Sequence, residues 1–265
     1  MSDEVKNEVA LAAQNALATY KAEDDFQDVR PQDKLTPRIR LQQMTSPSVA
    51  EGKAAAGDYM LDSGEVILHR GGTTKIIPLM HWLQWVEFNP DRDAAKDKRV
   101  FGRSVDPNGD LAIAAGKYEE VVNPEGKKVF RVTESYNFAV LLPSIGFYDT
   151  VYIISLQRAS HRVGKGLINT LLGQRQSDGV RYPFFASMFD LGNVFKDEGP
   201  QKKYFVPTFE KRMETPQAQW PGLAVLVTKL RADKKAMMDR ELEREHDDTA
   251  AGVTAASSAK DEKHF

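Results

Sequence analysis

The chain has 265 residues, of which 41% are hydrophobic, with a formal net charge of -2 and no cysteine. The lack of cysteine excludes disulfides, thiolate nucleophiles and cysteine-ligated zinc. No apolar run approaches the length of a membrane span, and the N-terminal MSDEVKNEVALAAQ is too acidic for a signal peptide. We therefore expect a cytoplasmic protein with no membrane partner.

The small net charge conceals an uneven distribution. Residues 1–30 carry seven acids against three bases, and residues 239–265 carry eight acids against four bases. Residues 151–213 reverse the sign, with ten Lys or Arg against five Asp or Glu. A basic middle between acidic ends favours a core that binds a polyanion and tails that compete for the same surface. Ordinary surface charge with polar termini is the alternative.

In the N-terminal half, residues 1–33 are predicted to form an acidic helical extension. The segment LTPRIRLQQMTSPSV follows as an extended piece, and GDYMLDSGEVIL predicts a hairpin that turns at Asp62, Ser63 and Gly64. Residues Lys75 to Phe88 form a long apolar and aromatic strand. A charged excursion rich in turn signals then leads to the next strand.

In the second half, four further strands are predicted, at Phe130–Leu142, Asp149–Gln157, Tyr182–Phe195 and Lys202–Met213. A helix from Ser160, its N-cap, to Leu172 separates the second of these strands from the third. Residues 214–246 are assigned to a C-terminal helix that begins near Pro221. Residues 247–265 lack core-forming side chains and are expected to be disordered.

The predicted fold is mainly β with flanking helices. The order of three strands, a helix and two strands is that of an OB-fold, a five-stranded barrel with its helix between strands 3 and 4. This OB-fold-like core spans residues 34–213, with helical extensions at both ends. A mixed sheet with flanking helices is the main alternative.

The Gly-Lys-Gly at residues 164–166 raises the question of a phosphate loop. The P-loop pattern requires a glycine five residues before Gly164, where Ala159 stands, and a Ser or Thr after Lys165, where Gly166 stands. The dinucleotide pattern GxGxxG also fails, at Asn169. We therefore expect the glycines to let the helix start pack closely against a strand.

Basic and aromatic residues interleave through the core, as a groove for single-stranded nucleic acid requires. Lys and Arg contact phosphates, and aromatic rings stack on bases; Trp85, Tyr182 and Tyr204 are the predicted stacking residues. The predicted DNA-binding residues are Trp85, Arg99, Arg103, Arg158, Arg162, Lys165, Arg181, Tyr182, Lys202, Lys203, Tyr204 and Lys211. The alternative is that the aromatic residues fill the barrel and that the Lys and Arg residues form a solvated face.

With its OB-like strand order, basic centre and acidic tail, the chain resembles the single-stranded-DNA-binding proteins of bacteriophages. The segments LTPRIRLQQMTSPSV, GDYMLDSGEV and RVTESYNFAVLLP and the C-terminal phenylalanine carry the resemblance. It implies DNA replication and recombination in the host-cell cytoplasm, and a tail that recruits replication, recombination or transcription proteins through Asp261, Glu262 and Phe265. Lys263 and His264 interrupt the acidic run, a departure from the family pattern.

The sequence favours sequence-independent binding of single-stranded DNA, with no catalysis, no cofactor and no metal. The five histidines are scattered, and no GxSxG elbow or metal-ligand spacing is present. A single-strand annealing protein that self-associates shares the same DNA chemistry and is one alternative. A virion or scaffolding protein that uses its strands for assembly is the other.

Overall fold

The computed structural model describes residues 36–91, 100–144, 150–199 and 202–233, apart from the side chain of Arg212. The strands within these ranges are β1 (Arg38–Leu41), β2 (Tyr59–Leu61), β3 (Val66–Leu68), β4 (Thr74–Phe88), β5 (Val100–Ser104), β6 (Glu120–Val122), β7 (Lys128–Phe130), β8 (Val132–Leu141), β9 (Tyr152–Gln157), β10 (Ser187–Asp197) and β11 (Lys203–Glu214). The α-helices are α1 (Pro47–Ala50), α2 (Asp110–Gly116), α3 (His161–Gly173) and α4 (Trp220–Ala232). Single turns of 3₁₀-helix cover Arg158–Ser160, Phe184–Ala186 and Gln217–Gln219. The prediction of a mainly β protein with flanking helices is confirmed.

Nine of the described strands form one mixed sheet in the order β11-β10-β4-β8-β9-β1-β2-β3, with β5 added to β4. All pairings in it are antiparallel except that of β1 with β9. Strands β6 and β7 form a separate hairpin. The long strand β4 pairs with β10 near its start, with β8 along most of its length and with β5 at its end. It is the strand that holds the two halves of the sheet together.

The closed five-stranded barrel is not confirmed. The five predicted strands correspond to β4, β8, β9, β10 and β11, and their backbone ladder does not close among the described residues. Strand β1 pairs in parallel with β9 and so takes the strand edge at which β9 would have met β11. Strand β1 lies within LTPRIRLQQMTSPSV, the segment that was predicted only as an extended piece.

Side chains bridge the gap that the ladder leaves. The Tyr59 hydroxyl on β2 donates to the Gly192 carbonyl on β10 over 2.6 Å, and Asn193 donates to the Gly57 carbonyl over 2.8 Å. Gln43, just after β1, hydrogen-bonds both backbone groups of Phe205 on β11. The two ends of the sheet therefore curve toward each other.

Alternation along β8 and β9 sends side chains to two separate cores on opposite faces of the sheet. Phe138 and Ile154 lie in the core that α3 covers through Leu167 and Leu171. Ala139 and Ile153 lie in the core that α4 covers through Leu223 and Val227. None of the described helices is long and apolar enough to cross a membrane.

Helix α3 confirms the predicted helix between the third and fourth predicted strands, and it explains one of the two glycines there. A Cβ atom on Gly164 would lie 2.8 Å from Cβ of Tyr136 on β8, whereas one on Gly166 would meet nothing within 4 Å. Gly164 thus permits the close helix–strand approach expected from the sequence, and Gly166 is not needed for it. Ser160 precedes the helix but makes no side-chain cap hydrogen bond.

Candidate nucleic-acid interface

A cleft of about 480 Å³ lies where β1, β9 and β11 approach one another, and it extends across β4 and β8 to β5. Part of its lining, including Gln84, Ser135, Ser155 and Gln157, lies on the sheet face that carries Ala139 and Ile153 and that α4 covers further along. Along that face the cross-strand rows change from apolar Met80, Ala139 and Ile153 to polar Gln84, Ser135 and Gln157. The change from apolar to polar side chains marks where the covered core ends and the cleft begins.

The charged residues in the described lining of the cleft are cationic. Its described lining includes no Asp or Glu but five cationic residues, which are Arg38, Arg40, Arg103, Arg158 and Lys203. Arg40 Nε pairs with Asp62 over 2.7 Å and Lys203 Nζ pairs with Asp197 over 3.2 Å. Both partners of the Lys203–Asp197 pair are exposed, and such pairs contribute little energy, so a phosphate can replace the Asp197 carboxylate at small cost.

Arg158 and Phe88 form a cation–π pair on the wall of the cleft. The guanidinium carbon lies 4.4 Å from the ring centroid of Phe88, within the range of attractive cation–π contacts. Arg158 also adopts φ of +52°, a left-handed backbone that a residue with a Cβ rarely takes. Strained backbone of this kind concentrates at binding sites.

The β11 side of the cleft carries Tyr204 and Phe205. The Tyr204 hydroxyl donates to Glu198 over 2.9 Å, and this hydrogen bond raises the pKa of Tyr204 against the opposing effect of nearby Arg162. Phe205 is buried, with the Arg70 guanidinium 5.0 Å from its ring centroid. Tyr204 is the half-buried ring of the two and is the one available for stacking.

The predicted site residues divide into three groups. Arg103, Arg158, Lys203 and Tyr204 line the cleft, and Arg162 lies beside Tyr204. Those that are described but do not line the cleft are Trp85, Lys165, Arg181, Tyr182, Lys202 and Lys211. Those outside the described residues are Arg99 and the tail residues Asp261, Glu262 and Phe265.

Trp85 and Tyr182, two of the three predicted stacking residues, do not line the cleft. Trp85 is 7% exposed and packs with Ala114 of α2 and Val132 of β8, so a base cannot reach its face without displacing α2. Tyr182 makes an edge-to-face contact with Trp220, with ring centroids 5.9 Å apart, and lies outside the cleft. Arg181, the preceding residue, forms an isolated antiparallel backbone β-bridge with Arg175.

Three functional candidates were missed by the sequence reasoning: Arg38, Arg40 and Phe88. Arg38 and Arg40 alternate with apolar Ile39 and Leu41, a period-two pattern that places both arginines on one face of a strand. That pattern was visible in LTPRIRLQQ. Phe88 ends the predicted strand Lys75 to Phe88, and no feature of the sequence separates it from the neighbouring core aromatics.

A family model described as Pam3 phage gp34-like protein matches residues 5–226. The match covers most of the chain, which therefore belongs to this family, one named for a phage protein. No curated protein and no solved structure matches the chain. Within the described residues, no group of three or more His, Asp or Glu side chains is placed to hold a metal ion.

Proposed function

We propose that the protein binds single-stranded DNA in this cleft, without sequence preference and without catalysis, in phage DNA replication and recombination. The observation that carries the proposal is the lining of the cleft, with five cations, no carboxylate among its described residues, and the rings of Phe88 and Tyr204. Cations follow the phosphates of a single strand and rings stack on its bases, and neither contact requires a particular base.

The strand pairings support an OB-like arrangement as the basis of this function. Numbering β4, β8, β9, β10 and β11 from 1 to 5, the pairs 1–2, 2–3, 1–4 and 4–5 are present. OB-folds bind oligonucleotides on the face of strands 2 and 3 and on the loops that join strands 1–2 and 4–5. The cleft has residues from each of these places: Ser135 and Ser155, Arg103, and Lys203 after the 4–5 turn.

Recruitment of replication, recombination or transcription proteins through Asp261, Glu262 and Phe265 is part of the same proposal. It rests on the sequence alone, because these residues lie outside the described part of the chain. Pull-down of host replication proteins by the full chain, but not by a Phe265→Ala variant, is the test of this part.

The test of the DNA-binding proposal is a titration with oligo-dT at two salt concentrations, followed by tryptophan fluorescence. Replacing Arg103, Arg158 and Lys203 together by Ala should weaken binding and reduce the dependence of log K on log salt by about two units, because each lost phosphate contact on a single strand contributes about 0.7. The matched control replaces the exposed residues Lys117, Lys229 and Arg231, which do not line the cleft.

The control distinguishes a specific cleft from general charge attraction. We expect the control variant to keep the wild-type salt dependence although it loses the same charge. Equal losses in the two variants would mean that net charge, rather than the cleft, attracts the DNA. Absence of any salt-sensitive DNA binding by the wild-type protein would refute the proposed function.

A further inference from the structure

The floor of the cleft holds a row of polar side chains that the ion and ring contacts above do not involve. Gln84 on β4 is directly opposite Ser135 on β8, and Ser135 is directly opposite Gln157 on β9. Directly paired residues of neighbouring strands project to the same face of a sheet. All three residues line the cleft.

Two members of this row are almost completely buried. Gln84 is 5% exposed and Ser135 is 2% exposed. Among the described residues, neither side chain has a polar atom that is shut off from solvent without a partner, whereas in the next row Asn137 Nδ2 is such an atom, although the Ser155 hydroxyl donates to Asn137 Oδ1 over 2.6 Å. The polar atoms of Gln84 and Ser135 therefore open onto the cleft, where they can hydrogen-bond to a bound ligand.

The structure assigns this row, we infer, to the hydrogen-bonding edge of one nucleobase of a bound single strand. The inference rests on the proposed function and adds to it a base-edge subsite at a defined place. Phe88 lies on the same strand as Gln84, four residues away, and both residues line the cleft. A base could thus stack on the wall of the cleft while its edge reaches the floor.

The chemistry of the row accounts for a subsite that accepts any base. A carboxamide offers a donor and an acceptor side by side, and a hydroxyl can act as either. Each of the four bases has an adjacent donor and acceptor on its pairing edge, so each can match Gln84. In a duplex that edge is already occupied by the complementary base. The row therefore selects single-stranded over double-stranded DNA without reading sequence.

The probe is an oligonucleotide of about eight thymidines, within the site size of one OB domain, and a set of versions with one abasic position each. Isothermal titration calorimetry gives the dissociation constants of the wild-type protein and of Gln84→Met. This variant keeps the length of the side chain but removes its donor and acceptor. We expect Gln84→Met to bind the intact oligonucleotide about five- to tenfold more weakly, the effect of one or two lost hydrogen bonds. Gln217→Met, at an exposed position outside the cleft, is the matched control and should bind as wild type.

The abasic series identifies which contact has been lost. If a base edge contacts Gln84, one internal abasic position weakens wild-type binding, and on that oligonucleotide the loss caused by Gln84→Met falls below twofold. Ser135→Ala should follow the same pattern and provides a second variant if Gln84→Met does not fold. Equal losses on intact and abasic DNA, or no loss on intact DNA, would overturn the inference while leaving the proposed function in place. A wild-type protein that binds no oligonucleotide would refute both.

Discussion

The side chain of Gln43 makes with Phe205 the two hydrogen bonds that a neighbouring strand would make. Its amide donates to the Phe205 carbonyl over 2.9 Å, and its oxygen accepts from the Phe205 N–H over 2.8 Å. A side chain thus replaces a strand at the point where β1 and β11 approach each other. The same contact covers part of the edge of β11, which would otherwise be free to pair with another chain.

Gln43→Ala should destabilise the fold because it leaves the buried backbone N–H and carbonyl of Phe205 without partners. We expect the free energy of unfolding, measured with urea, to fall by about 1–3 kcal/mol. Gln217→Ala, at an exposed position, should leave it within about 0.5 kcal/mol. An equal effect of the two variants would show that the Gln43 bridge does not hold the two strands together.

The glycines of α3 give a second prediction from a matched pair. Gly164→Ala places a Cβ atom 2.8 Å from Cβ of Tyr136, so helix and strand must separate, at a cost of about 1–3 kcal/mol. Gly166→Ala meets no atom within 4 Å and should stabilise the helix by up to about 1 kcal/mol. Thermal unfolding of the two variants, measured side by side, should give shifts of opposite sign.

A loss of stability in both variants would contradict this account of the Gly-Lys-Gly. It would mean that Gly166 also has a packing partner in solution. A gain in both would mean that α3 can move away from β8 without cost.

The long strands were predictable from the sequence because each has many residues of regular pattern, as in Lys75–Phe88 and Phe130–Leu142. The alternation of residues in β1 was visible in the sequence, but its parallel pairing with β9, more than a hundred positions away, was not. No local signal shows that pairing. Because β1 pairs with the edge of β9, the backbone ladder of the five predicted strands does not close among the described residues.

The candidate site was predictable in part for a similar reason. Clusters of basic and aromatic residues in the sequence identified Arg103, Arg158, Lys203 and Tyr204, which the fold brings to one cleft. Periodicity predicts that alternate residues of β4 share a face, but it does not say what covers each face. Trp85 lies under α2, and the helix that covers it could not be assigned from the sequence.

Asp58 should make stability depend on pH. Burial of its carboxylate acts to raise its pKa, but hydrogen bonds from the N–H groups of Ala55 and Arg70, with a smaller effect of His69, lower the pKa below its ordinary value of 3.8. The folded state therefore binds the proton more weakly than the unfolded chain does. The stabilisation is complete above this ordinary pKa and is lost as the pH falls through the lower folded value.

Asp58→Asn tests this prediction, because its side chain has one oxygen acceptor and cannot titrate. We expect it to destabilise the protein by about 1–3 kcal/mol at pH 7, measured by urea unfolding. The difference from wild type should shrink as the pH is lowered below about 4. A difference that stays constant with pH would show that the carboxylate charge contributes nothing at Asp58.

The backbone of Arg158 gives the last prediction, which separates the role of its main chain from that of its side chain. Its φ of +52° is costly for alanine, as for arginine, and nearly free for glycine. Both Arg158→Gly and Arg158→Ala remove the guanidinium from Phe88 and from the cleft, so both should weaken oligo-dT binding equally. Arg158→Gly should be the more stable of the two by about 1 kcal/mol, because only the glycine relieves the strain of the left-handed conformation. Urea unfolding and DNA titration on the same two preparations provide the comparison. Equal stability would mean that the turn relaxes when the arginine is removed, and that the Arg158 side chain, through its contact with Phe88, is what holds the left-handed backbone in place.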